Sequence, residues 1–303
     1  MPKIETSDTL LWDLLGKRLS DSALEEILPV AKAELDGHED GILKIELNDT
    51  NRPDLWSAPG VARQLKTYWE EEVGPYDFFS SSEVTQESAG RTLIIDDSAG
   101  VVRPYSIGFA AQGHTVSEEE LEALIQSQEK LCHNFGQKRK TIAIGLYRSD
   151  LITYPVHYRG ADPDTTRFVP LGMTEELSLR EMLSAHEKGK EFGHIVSDKP
   201  LFPYLHDDKG ETLSFPPVIN SASIGAVEAG DANIFVELSG PGLDDLLLAA
   251  SILACDMADM GWEILPVEVS FPHETAYGSK ITVPYYFQEK SSATVEEIHK
   301  TLG

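Results

Sequence analysis

The sequence predicts an α+β protein: a small N-terminal α/β module, then a larger domain of mixed sheets and helices. Three observations predict it. Helical spacing over residues 9–34 gives way to an alternating run, Ile42–Leu47, within the first 75 residues. A segment rich in glycine, proline and serine then interrupts the chain, GPYDFFSSSEVTQESAG. Beyond it, short strand-like runs outnumber helices, with no regular β–α alternation. The division expected is 1–75 for the first module, 76–90 for a linker, 91–275 for the larger domain and 276–303 for an extension.

Thr9–Arg18 and Asp21–Glu34 have helical spacing, and Ser20 or Asp21 is placed to cap the second. Ile42–Leu47 alternates as a strand. Asn48 to Leu55 is rich in turn formers, and Pro59 leads into a helix through Trp69. Arg52 and Arg63 sit among acids, where ion pairing is as natural as ligand binding. Arg91–Asp96 and Val101–Ala111 read as strands about the turn Asp97-Ser98-Ala99-Gly100. Ser117 and Glu120 make a capping box for a helix to about Phe135, with Leu121, Leu124, Ile125 and Leu131 on its apolar face. The basic cluster Lys138-Arg139-Lys140 closes that helix. It suits the helix dipole, and it equally suits a phosphate. Thr141–Tyr147 is a strand, Asp150–Tyr158 is extended or turning, and Ser178–Glu187 is an amphipathic helix. Leu201–Leu205 and Glu211–Phe215 pair across a turn at residues 206–210. Leu243–Met260 is apolar nearly all round and belongs between layers of the core. Ile264–Phe271 and Ile281–Phe287 are strands, and Thr294–Gly303 begins a helix.

The 303 residues include 51 acids against 25 lysines and arginines, a formal charge of -26. Such a surface repels polyanions, so it disfavours non-specific binding to nucleic acid or anionic membrane; any RNA contact needs a local basic patch. Cys132 and Cys255 lie far apart, as free thiols of a reducing compartment do. The first residues carry no basic start and apolar core, and Asp244, Asp245, Asp256 and Asp259 interrupt the most apolar stretch. A cytoplasmic protein without a membrane span is expected. No glycine-rich phosphate loop, nucleophile triad or histidine pair at metal spacing stands out. Of the nine histidines, His133 and His194 have polar neighbours, and both read as structural hydrogen-bonders.

The stretch Leu213–Gly240 carries the most information. A strand stops at Pro216-Pro217, a loop of small polar residues follows at Asn220–Gly225, and a second strand carries Glu237 and ends at Ser239-Gly240. So long a loop of small residues between strands suits the lip of a pocket better than a plain hairpin. Alternation puts Ile234 and Val236 inside and Phe235 and Glu237 outside, which is one reading of Glu237. The other is a carboxylate among apolar neighbours, costly unless something pairs with it.

Several words of the chain resemble the phenylalanine–tRNA ligase beta subunit, of the archaeal and eukaryotic type. They are IELNDTNRPDLWSAPGVARQL (Ile45–Leu65), RPYSIGFA (Arg103–Ala110), IQSQEKLCHNFGQKRKTIAIG (Ile125–Gly145), KPLFPYLHDDKGETLSFPPVINS (Lys199–Ser221) and NIFVELSGPG (Asn233–Gly242). The resemblance implies the N-terminal half of that subunit: its first domain at 1–75, its B-three/four tRNA-binding and editing domain at 91–275, and the start of a following domain at 276–303. It places ATP and Mg²⁺ in the alpha subunit, with no cofactor or metal in this chain. The partners implied are that alpha subunit and the acceptor end of tRNA(Phe), with no membrane and no DNA.

A hydrophobic pocket rejects an added hydroxyl by only about a hundredfold, so a second site must remove tyrosine mistakenly attached to the tRNA. That site must demand the hydroxyl. The resemblance assigns this to Glu237, in an editing pocket with Asn220, Ser221, Ser223, Pro217 and Ser239. The polar loop offers donors to the ester, and a positioned water aided by the terminal ribose hydroxyl attacks it. No catalytic side chain is assigned. Lys138, Arg139 and Lys140 are the tRNA contacts expected. The loop at residues 223–230 lacks the arginine and threonine that related loops often bear. A free-standing trans-editing deacylase, and a non-catalytic module binding an aromatic amino acid, RNA or a protein, are the alternatives.

Overall fold

A computed structural model describes residues 3–48, 51–69, 76–287 and 292–302. Asp49 and Thr50 of the expected turn, residues 70–75 at the end of the first module and its junction with the linker, residues 288–291 of the extension, and Gly303 lie outside these. The fold is mixed α+β.

The first module is a three-stranded antiparallel sheet, ordered Lys3–Ser7, Ile42–Leu47, Ala33–Glu39, with helices Asp8–Leu15, Asp21–Ile27 and Ala58–Trp69. Ser7 and Ser20 cap the first two helices by accepting from Leu10 and Ala23 N–H. The helix expected to reach Glu34 ends at Ile27 instead. A 3₁₀ turn at Leu28–Ala31 follows, and left-handed Lys32 swings the chain into the strand Ala33–Glu39. Pro29 lacks the N–H that a continuing helix would use.

The remainder builds two larger sheets and a two-stranded one, Arg167–Phe168 with Leu177–Ser178. One has seven strands, in the order Ile219–Asn220, Thr212–Phe215, Phe202–His206, Val156–Ala161, Thr92–Ile95, Val267–Ser270, Lys280–Val283. Its Val156–Ala161, Thr92–Ile95 and Val267–Ser270 neighbours run parallel, and the other pairs antiparallel. The other has four antiparallel strands, ordered Glu263–Leu265, Tyr105–Gln112, Asn233–Gly240, Ala143–Arg148. The run expected as one strand over 264–271 therefore breaks at Pro266, and the chain steps from one sheet to the other. The expected strand start at Val101 is a turn, and the strand begins at Tyr105.

The capping box at Ser117 and Glu120 is present, and its helix Glu118–Lys130 passes through a π turn at Leu131–Phe135. Helix Leu243–Asp259 packs on strands Tyr105–Gln112 and Asn233–Gly240 and against helix Ala58–Trp69. One hydrophobic cluster runs from Ile4 to Tyr285, so the first module and the sheets share a core. The segment expected as a linker is tied down: Ser80 N–H donates to the Pro284 carbonyl at 2.9 Å, and Phe79 packs on Tyr286. Residues 280–283, beyond the boundary expected at 275, form the edge strand of the large sheet. Their β-branched residues are buried there against its core.

Candidate functional site

The register of strand Asn233–Gly240 decides what Glu237 meets. Glu237 pairs with Gly108 on one neighbouring strand and with Gly145 on the other. Directly opposed residues share a face, so this carboxylate stands between two positions without side chains. Neither glycine is replaceable at no cost. A Cβ on Gly145 would lie 2.0 Å from the Tyr147 hydroxyl, and one on Gly108 2.7 Å from the Val236 carbonyl. The alternation that put Phe235 and Glu237 outside is overturned: the strand is covered on both faces, and Glu237 is 1% exposed.

Ser106 donates its hydroxyl to Glu237 Oε1 at 2.6 Å. Arg103, also buried, spends its donors on the Ser239 carbonyl and, at 3.1 Å, on the Lys140 carbonyl. Burial pushes Glu237 up to about 7, against the pull of the Ser106 hydrogen bond and the Arg103 charge. Near neutrality this acid is poised between its two forms.

Glu237 lines a cavity of about 20 Å³ with Tyr147, Ser214, Pro217, Asn220 and Arg139. Tyr147 donates to Ser214 Oγ at 2.8 Å. Asn220, Ile219 and Ile144 separate this cavity from a groove of about 390 Å³, lined further out by Leu121, Ile125 and Glu228. A third cavity, about 340 Å³, carries Lys130, His133, Lys138 and Lys188, with Glu129 and Glu191. Arg139 borders all three. A cleft of about 500 Å³ elsewhere is lined by Tyr76, Cys255, Tyr286 and Arg63, and Arg63 is already paired with acids.

The expected site residues separate into two groups. Glu237, Pro217 and Asn220 meet in the inner cavity. Asn220 also donates to the Leu146 carbonyl at 3.2 Å, which fixes its amide. Ser221 is buried and accepts from Ile224 N–H, whereas Ser223 is exposed, and neither lines the cavity. Ser239 lies two residues beyond Glu237 on the same face, also outside the cavity lining, and its hydroxyl, like that of Ser106, favours the charged form of Glu237. Among the basic residues, Lys138 lines the outer cavity and Arg139 reaches inward, while Lys140 is exposed and away from both. Arg103, Ser106, Gly145, Tyr147, Ser214 and Lys188 were not anticipated. The signal for Gly108 and Gly145 was a glycine inside each strand-like run, which marks a close approach. Among the described residues, no cluster of acids, histidines and cysteines is arranged to hold a metal. No helix there is long and apolar enough to cross a membrane.

No family model matches the chain. Phenylalanine–tRNA ligase beta subunits do. That of Borrelia turicatae is 47% identical over 306 residues, a match that takes in 100% of this chain and 54% of the relative. That of Borreliella burgdorferi (strain ZS7) is 45% identical with the same coverage. The chain thus spans about half the length of the curated relatives it matches. A crystal structure of an N-terminal fragment of the phenylalanyl-tRNA synthetase beta subunit from Pyrococcus horikoshii superimposes with a TM-score of 0.85 at 36% identity, over 93% of this chain and 79% of that one. The chain belongs to the phenylalanine–tRNA ligase beta subunit family and corresponds to its N-terminal region.

Proposed function

We propose that this chain carries an editing site that hydrolyses tyrosine mistakenly esterified to tRNA(Phe), as part of a cytoplasmic ligase completed by an alpha subunit. The observation that carries the reading is Glu237: a buried acid lining a cavity, bonded by the Ser106 hydroxyl and not neutralised by a contacting arginine. A phenol donates to such a carboxylate. A benzene ring leaves it unmatched, at about 1–3 kcal/mol for an unsatisfied buried polar group. Hydrolysis adds water across the ester: the acyl carbon–oxygen bond breaks, the tyrosine leaves as its carboxylate, and the ribose oxygen takes a proton. Asn220 and the inner wall at Ser214 supply polar groups beside Glu237. The outer cavity's Lys130, Lys138 and Lys188 supply a local basic patch for the nucleic-acid end on a chain of charge -26. Likeness to the Pyrococcus horikoshii fragment supports an archaeal and eukaryotic type of subunit; the region proposed to edit is 91–275.

Deacylation of Tyr-tRNA(Phe) and Phe-tRNA(Phe) by this chain tests the reading. The tyrosyl ester is expected to be hydrolysed faster by about tenfold or more, and Glu237→Ala to abolish that ratio. Equal rates for the two esters in the unaltered chain would remove the proposal.

A further inference from the structure

Arg139 does not face outward as a simple phosphate contact does. Its Nη1 donates to the Pro217 carbonyl at 3.0 Å and to the Val218 carbonyl at 3.2 Å. Its guanidinium lies over the Phe192 ring, 4.2 Å from the centroid. The side chain thereby pins the Pro217–Val218 corner that walls the Glu237 cavity, and it borders the inner cavity, the groove and the basic outer cavity at once. The backbone beneath it is held in an uncommon form. Gln137, Lys138 and Arg139 are all left-handed, with φ of 49°, 57° and 65°, a conformation that costs a residue with a Cβ about 1–2 kcal/mol. Hydrogen bonds from Lys138 N–H to the His133 carbonyl and from Arg139 N–H to the Cys132 carbonyl, both 2.9 Å, retain it.

The inner cavity, at about 20 Å³, holds a water and not an aromatic ring. A ring enters only if a wall moves; Pro217 of the pinned corner is part of that wall, and Arg139, which pins it, also lines the basic cavity. A phosphate offers the guanidinium a full opposite charge and two oxygens in fork geometry, which a pair of neutral carbonyls does not. We propose that Arg139 is a specificity-determining latch: it closes the Glu237 cavity on the Pro217 and Val218 carbonyls, and a nucleotide phosphate in the adjoining basic cavity draws it off, so that a ring is admitted when it arrives on a nucleic-acid end. The latch rests on the editing reading for its purpose. It excludes free tyrosine, which would otherwise occupy the site.

The test titrates p-cresol and toluene into the chain by calorimetry, with and without adenosine 5′-monophosphate at matched ionic strength. The nucleotide is expected to tighten p-cresol binding to the unaltered chain about tenfold, because it removes the cost of opening. Arg139→Ala is expected to bind p-cresol about tenfold tighter without nucleotide and to lose the nucleotide dependence. Arg139→Lys keeps the charge but loses the planar guanidinium that lies over the Phe192 ring, so it falls between the two, and it carries the test should the alanine variant not fold. Arg139→Ala with unchanged or weaker p-cresol affinity, or with the nucleotide effect intact, overturns the latch. Failure of the editing reading looks different: p-cresol and toluene bind equally, while Arg139→Ala still tightens both.

Discussion

Among the described residues Asp207, Glu237 and Asp256 are acids buried almost completely, and the surroundings of the last two differ in one respect. Asp256, 1% exposed, receives the Arg63 Nη2 at 2.7 Å. The same guanidinium pairs through Nε with Asp259 at 2.7 Å, and Tyr76 donates to Asp259 at 2.8 Å. Burial pushes Asp256 up despite Arg63, and the two carboxylates hold Arg63 above its ordinary value against its own burial. Glu237, equally buried, has a serine donor, and its charged neighbour Arg103 donates to main-chain carbonyls instead. The same residue types thus make a closed ion cluster in one place and an acid with spare bonding capacity in the other. A cluster that satisfies itself joins the first module to helix Leu243–Asp259. An acid left partly unmatched is free to discriminate a ligand.

The largest effect expected breaks the first of these. Arg63→Ala strands Asp256 without its cation and should cost about 3–5 kcal/mol in urea unfolding, the usual cost of breaking a buried pair. The p-cresol over toluene preference of the folded protein should not change. A loss below about 1 kcal/mol would mean that water already screens the cluster.

The second effect belongs to Glu237. Its folded value is about 7 and its ordinary value 4.5, so between those pH values the folded state holds a proton that the unfolded chain has released. This group's stabilisation is therefore complete below pH 4.5 and is lost as pH rises to about 7, for a total of about 3 kcal/mol. Glu237→Gln cannot ionise. The difference between the two proteins in unfolding free energy should move in favour of the variant by about that amount between pH 4.5 and pH 8. A difference that stays flat across this range would show that the acid is not held neutral.

Much of the framework was legible in the sequence because it is encoded locally. Ser117 with Glu120, the turn at 206–210 and the apolar run at 243–260 each specify an element within a few residues, and each element forms. The strand Ala33–Glu39 was not legible, because its charged residues continue the polar pattern of the helix before it. The site was legible only in part, for a related reason. Nothing near Glu237 in the chain announces that Gly108 and Gly145 flank it, since strand register is fixed by pairing across more than a hundred residues in one case. The inward turn of Arg139 depends on three left-handed residues in a segment, Gln137–Arg139, with no glycine to signal them.

The smallest effect sharpens the comparison most. Both acids of this pair have a serine hydroxyl nearby: Ser106 Oγ is 2.6 Å from Glu237, and Ser127 Oγ is 3.5 Å from Asp256. For Glu237 the Ser106 hydroxyl makes a hydrogen bond that favours the charged form. Ser106→Ala should therefore cost about 1.5 kcal/mol at pH 8, where the carboxylate is ionised, and about half that at pH 5, where it is protonated. The pH at which Glu237 ionises should rise further. Ser127→Ala removes a long contact from an acid already served by Arg63, so its cost should be below about 0.5 kcal/mol and the same at both pH values. Equal pH dependence in the two serine variants would mean that the two acids are held in the same way, and Glu237 would then have no more spare bonding capacity for a phenol than Asp256 has.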